Sequence, residues 1–149
     1  MRRLLLDVNV ILDVLLERSP HQEDASALWA VLEAEKGRGV LAAHAVTTIH
    51  YLVQRNRGRR IARQAVEGLL TVYEVAPVDG TVLRTAVALE WPDLEDAVGA
   101  AAGVANGCDA LVTRDPRGFR GCPIPVIDPR TALGWLTVEP EGGSGTKRR

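Results

Sequence analysis

Apolar and polar positions alternate along the chain with two periods, and the changes between them mark out the elements. Leu4 to Leu6 is a short continuous apolar run closed by Asp7, the pattern of a central parallel strand covered on both faces. Val10, Ile11, Val14 and Leu15 follow at helical spacing. Ser19 as N-cap, Pro20 in the first turn and Gln22 at the capping-box position predict a second helix through Leu28, Trp29 and Leu32 to about Gly37. Val40 and Leu41 predict a second strand, and Val46 to Gln54 a helix. Beyond the punctuating Gly58, Ile61, Ala65, Val66, Leu69 and Leu70 give an amphipathic helix. Val72 to Val75 reads as a third strand, and Asp79 caps a helix through Val82, Ala86 and Leu89.

Trp91 and Pro92 interrupt the pattern, after which Asp93 caps a helix running to about Gly107. Ala110 to Thr113 predicts a fourth strand and Val126 to Ile127 a fifth. The turn residues Asp128 and Pro129 lead into a short helix, Thr131 to Leu136. Strands alternating with helices define an α/β class, with a mostly parallel, five-stranded central sheet flanked by helices. One domain over residues 1–137 is expected, followed by a polar Gly/Ser/Lys/Arg tail over 138–149 that has nothing to bury and reads as disordered.

Composition narrows the chemistry. A chain of 149 residues builds a core without staples. Cys108 and Cys122 have no CxxC or zinc-like spacing and read as reduced thiols. Asp7 interrupts the first apolar run, and no stretch approaches the ~18 apolar residues of a membrane span, so a cytoplasmic location is expected. A net charge of −1 advertises no bulk attraction to nucleic acid, which leaves any such role to local patches. Sixteen arginines against two lysines, Lys36 and Lys147, matter for what they exclude.

In open α/β sheets, ligands bind beyond the carboxyl ends of the strands, where strand order reverses. Asp7 ends the first strand and Asp115 lies two residues past the fourth, so both reach one crevice. The helix leading into the fourth strand has an apolar stripe of Leu94, Ala97, Val98, Ala101, Ala102 and Ala105. Its other face, Gly99, Ala100 and Gly103, is nearly as apolar, which predicts burial all round and close approach of another backbone. Asp96 lies on that small-residue face, and it also reads as the acidic capping-box partner of Asp93. Three acids in one crevice repel unless protonated or neutralised, and a hard cation with oxygen ligands, Mg²⁺ or Mn²⁺, resolves the conflict. Asp7 is followed by Val8, Asn9, Val10 and Ile11, with no glycine for a Rossmann or P-loop turn. Neither lysine is placed for the phosphotransfer of receiver-domain or haloacid-dehalogenase sites.

The segment Asp7-Val8-Asn9-Val10-Ile11-Leu12-Asp13 resembles the opening D-x-N-x-x-x-D of PIN-domain nucleases. Asp93-Leu94-Glu95-Asp96-Ala97-Val98 resembles their third acidic motif, and Val112-Thr113-Arg114-Asp115 with Phe119 their T-x-D segment. The likeness spans roughly residues 3 to 135 in order. It implies a single PIN-like domain, a metal-dependent endoribonuclease, and often the toxin of a VapC-type toxin–antitoxin pair, with RNA as substrate, an antitoxin protein as partner and a homodimer as a compatible assembly. Asp7, Asp96 and Asp115 would be catalytic and hold the metal, with Asp93 as a further candidate ligand. Asn9 would orient a carboxylate, or else cap a helix, and Thr113 would orient one from the strand end.

The family's second acid is a glutamate in a T-x-x-E context, and Thr47-Thr48-Ile49-His50 places His50 there. Imidazole binds Mn²⁺ but is a poor Mg²⁺ ligand, so His50 is open to supporting a ligand, shuttling protons, touching substrate or serving only as a helix histidine. Gly118 stands where many members carry another acid, and Glu95 or Asp93 are candidates to compensate. Arg55, Arg57, Arg59, Arg60 and Arg63 form either a phosphate-neutralising patch or a solvated face. Arg114 and Arg117, beside Asp115, are expected to hold a substrate phosphate. The competing readings are a weakly active or inactive PIN-like scaffold that binds RNA or protein, and a DNA or repair nuclease of similar fold.

Overall fold

The computed structural model describes residues 1–137, and the tail expected over 138–149 lies outside the described residues. The elements run β1 (Arg3–Leu6), α1 (Val8–Leu15), α2 (Gln22–Glu33), β2 (Arg38–Ala42), α3 (Ala43–Arg57), α4 (Arg59–Val72), β3 (Glu74–Ala76), α5 (Gly80–Leu89), α6 (Leu94–Ala105), β4 (Ala110–Val112), a 3-10 turn (Pro116–Phe119), β5 (Val126–Ile127) and α7 (Pro129–Thr137). The five strands form one sheet in the order β3-β2-β1-β4-β5. Every pairing is parallel, as the alternating pattern predicts.

Period-two alternation divides the core between the two faces of the sheet. Leu4 and Leu6 of β1, Leu41 of β2, and Ala110 and Val112 of β4 pack with α1, α2, α3, α4 and α7. Leu5, Val40, Ala42 and Leu111 point the other way, against α5 and α6. The three central strands are therefore covered on both sides, which explains why their runs read as continuous apolar stretches. No helix among the described residues is long and apolar enough to cross a membrane.

Local chemistry sets most boundaries. The Asp79 carboxylate accepts from the Val82 N–H at 2.9 Å, the cap expected there, and Asp128, expected only as a turn residue, also caps by accepting from the Thr131 N–H at 2.8 Å. Gly58, at φ +90°, turns the chain between α3 and α4, a conformation that favours glycine. Among the boundaries that differ from expectation, two have a local cause. The second helix begins at Gln22 and has no side-chain cap from Ser19. Arg18 is held back against Asp13 and Asn9, so the chain completes a turn before the helix starts. The third strand begins at Glu74, because Leu69 and Tyr73 are buried at helical spacing and carry α4 through Val72.

The helix α6 is less enclosed than its composition suggests. Leu94 and Val104 are exposed. At Gly103 the close neighbour is the Leu5 side chain, 3.2 Å from where a Cβ would stand, while the space around Gly99 is open. The two glycines thus have different reasons: one seats the helix on β1, the other leaves room in a pocket.

Candidate metal centre

Starting from β1, the chain builds β2 and β3 on one side and β4 and β5 on the other, so strand order reverses between β1 and β4. A pocket opens beyond the carboxyl ends of these strands, lined by Asp7, Asp93, Glu95 and Asp96 over an apolar floor that includes Leu5, Leu111 and Phe119. This is the crevice that a doubly wound sheet offers to a ligand.

Asp7 is the residue at which β1 becomes α1. Its N–H still donates to the Val112 carbonyl at 2.9 Å, which ties it to β4. From β4 the wholly buried Thr113 hydroxyl donates to Asp7 Oδ2 at 3.0 Å and accepts from the Asp115 N–H at 3.1 Å. One hydroxyl therefore positions two acidic segments, as expected of Thr113. Burial pushes the Asp7 carboxyl above its ordinary range, outweighing the lowering from Thr113.

Asp96 enters from the first turn of α6. Asp93 caps that helix by accepting from the Asp96 N–H at 3.0 Å, so one Asp93 oxygen is already engaged. Burial, and then the charges of Asp93, Asp7, Glu95 and Asp115, push the Asp96 carboxyl up to about 7. A Cβ at Gly118 would come within 3.2 Å of Asp96 Oδ2, so the bare glycine brings the 3-10 turn against this carboxylate. Phe119 anchors the turn edge-to-face on Trp91, with ring centroids 5.8 Å apart.

Asp115 belongs to the same electrostatic neighbourhood but stands at its rim, where it is exposed and accepts from Arg117 Nε at 3.1 Å. Among the described residues no group of three or more His, Cys, Asp or Glu side chains stands at metal-holding spacing. The acids stand near one another, and their charges help raise the proton affinity of Asp7 and Asp96, without closing into a ligand cage. Their chemistry nonetheless suits a hard divalent ion, since the facing donors are carboxylate oxygens and two of the acids are held above their usual range by burial and mutual repulsion.

Three expected roles are placed differently. His50 does not line the pocket; α3 presents His44, Ala45, Thr48 and Leu52 to it. The helix starts at Ala43, and at 100° per residue His50 lies roughly 200° round the axis from Thr48. Arg114 donates to both oxygens of Asp13, at 2.7 and 3.3 Å, and so is committed to an acid and not to a phosphate site. Asn9 lines the pocket, and among the described residues its side chain bonds to no carboxylate; its oxygen accepts from Arg18 at 3.0 Å. Arg114 is drawn by Asp13, a wholly buried acid that also receives Arg18 Nε at 2.9 Å. The signal for Asp13 was present in the sequence as a charge on the apolar stripe between Ile11 and Val14.

Two further groups were not singled out as site residues. Thr48 donates its hydroxyl proton to Glu95 Oε2 at 2.6 Å, and His44 Nε2 lies 3.1 Å from the Glu95 carbonyl. Since a carbonyl only accepts, Nε2 carries the proton, and His44 Nδ1 is a buried nitrogen with no partner among the described residues.

A PIN domain family model matches residues 3–117. A match over most of the chain, on a fold and an acidic crevice of this form, places the protein in the PIN-domain family. None of the curated proteins matches it significantly in sequence. Among solved structures, a DNA-bound VapBC from Salmonella typhimurium is similar at a TM-score of 0.69 and 17% identity, covering 87% of this chain and 99% of that one. FitAcB from Neisseria gonorrhoeae gives 0.66 and 21%, covering 85% and 98%. The sarcin-ricin-loop-cleaving toxin VapC20 of Mycobacterium tuberculosis gives 0.65 and 18%, covering 77% and 92%. At these identities the likeness is one of fold.

Proposed function

We propose that this PIN-domain protein is a metal-dependent endoribonuclease that hydrolyses RNA phosphodiester bonds, and that it is the toxin of a VapBC-type toxin–antitoxin pair. The observation that carries the reading is Asp96: its carboxyl is held near 7 by burial and by the charges of Asp93, Asp7, Glu95 and Asp115, at the switch point of the sheet. Such a concentration of carboxylates calls for a cation, and Asp7, Asp96 and Asp115 are the residues that would hold Mg²⁺ or Mn²⁺, with the free oxygen of Asp93 beside them. A bound divalent ion supplies an activated water and neutralises charge developing on the phosphate.

The chain's own residues prepare that chemistry. Thr113 fixes Asp7 and the backbone of Asp115 relative to each other. The ion pairs of Asp13 with Arg18 and Arg114 tie α1 to the segment after β4, which carries Asp115. Arg117, exposed at the rim, is the cation best placed to receive a phosphate once it leaves Asp115. The apolar floor excludes water beneath the acids.

Incubating the purified protein with structured RNAs and either ion tests this directly. Cleavage should require Mg²⁺ or Mn²⁺ and disappear in Asp7→Asn and Asp96→Asn; activity that survives both substitutions would sink the nuclease reading. The Salmonella typhimurium neighbour is a VapBC and the Neisseria gonorrhoeae one FitAcB. By that analogy a short antitoxin encoded beside this chain should co-purify with it from the cytoplasm and block cleavage, on a monomer or a homodimer.

A binding-scaffold reading draws on one observation, that the pocket face of α3 carries Thr48 and no acid. Calorimetric titration with Mn²⁺ separates the two readings. Binding that is lost in Asp115→Asn counts for the nuclease, and no heat at all counts for the scaffold.

A further inference from the structure

Glu95 occupies a position where an acid would ordinarily be a solvated first-turn residue favoured by the helix dipole. Its surroundings are more specific than that. The Thr48 hydroxyl approaches Oε2 at 2.6 Å, within the range of a strong O–H···O⁻ bond, and His44 Nε2 donates to the Glu95 carbonyl at 3.1 Å. Side chain and backbone of Glu95 are thus both held from one face of α3. Among the described hydrogen bonds none engages Oε1. The carboxylate lines the same pocket as Asp7 and Asp96, and its charge raises the proton affinity of both.

We infer that Glu95, oriented by the Thr48 hydroxyl, is a fourth carboxylate of this centre, supplied from α6 where α3 presents none. The inference rests on the metal-dependent reading above and deepens it by naming a ligand and its positioning residue. A tie between α3 and α6 alone would not need a charge, since a glutamine carbonyl accepts from Thr48 equally well. Charge is therefore what separates a ligand from a strut.

The test is Mn²⁺ titration of the full chain followed by electron paramagnetic resonance, which reads free ion directly and needs no turnover, with thermal denaturation in EDTA as the control for folding. Glu95→Gln should weaken Mn²⁺ binding about tenfold or more while leaving the metal-free melting temperature unchanged or higher. Thr48→Val should weaken it by a smaller factor, and Thr48→Ser should restore it, because only the hydroxyl is required. Moving the acid to α3, as Thr48→Glu in the Glu95→Gln background, should recover binding to within a few-fold of the parent.

Parent-like affinity in Glu95→Gln, with binding abolished in Asp96→Asn, overturns the role of Glu95 and leaves the metal centre standing. A folded parent that binds no Mn²⁺ overturns both.

Discussion

At the scale of single residues, Asp96 and Asp13 show two ways of keeping an acid inside a protein. Asp96 is kept by protonation or by a cation. Its folded value of about 7 lies above the ordinary 3.8, so between these limits the folded metal-free chain binds more protons than the unfolded one, and stability falls as pH rises. The contribution is complete below about 3.8 and is lost as the pH climbs through about 7. Asp96→Asn should therefore melt close to the parent at pH 4 and become more stable than it at pH 8, by on the order of 2 kcal/mol. Thermal scans in EDTA across that window check this, and a gap that stays constant with pH contradicts it. Asp13 is kept by two guanidinium groups, so removing its charge leaves two arginines facing a neutral amide. Asp13→Asn should cost about 3 kcal/mol in urea denaturation. Much of this was legible in the sequence: Asp7, Thr113 and Asp96 stand where strand ends and capping logic put them. Arg114 was not, because a long flexible cation beside Asp115 on paper reaches in space for the buried acid that offers it two oxygens.

Whole elements carry a different kind of information, and their glycines report it. Gly39 in β2 lies under the Tyr73 ring at the end of α4, and a Cβ there would run into the ring. Gly99 in α6 faces open space in the pocket. Gly39→Ala should destabilise by about 1–3 kcal/mol through overpacking. Gly99→Ala should stabilise by about 0.5–1 kcal/mol through helix propensity alone. Chemical denaturation of the pair gives opposite signs if α6 borders a cavity, and the same sign if it is packed all round. The apolar composition of α6 suggested the latter; the difference arises because small residues look alike in sequence whether they meet a neighbour or a void. The same limit applies to α3. The face of α3 that meets the crevice carries Thr48, roughly 200° round the axis from His50, and motif spacing does not fix how the helix is rotated against the sheet.

At the scale of the molecule, net charge is nearly balanced, so the RNA binding proposed above would have to be local. Arg57 leans on Glu17 and Arg63 on Glu67, while Arg59 and Arg60 are exposed, with no ion pair to either among the described residues. Replacing Arg59 and Arg60 by alanine should weaken RNA binding several-fold at low salt and reduce the slope of log affinity against log salt by about 1.4, measured in EDTA to suppress cleavage. An unchanged slope would assign them to a solvated face. The alternation of apolar runs determined the order of strands and helices, the parallel sheet and the placing of Asp7 and Asp115 just past strand ends, since these follow from local periodicity and from where connections can run. Tertiary structure alone decided how tightly the acids approach, that Asp13 captures Arg18 and Arg114, and that Glu95 is held from α3 by Thr48. Those outcomes depend on the rotation of one helix against another and on competition among charged groups distant in sequence, quantities that neither spacing nor composition encodes.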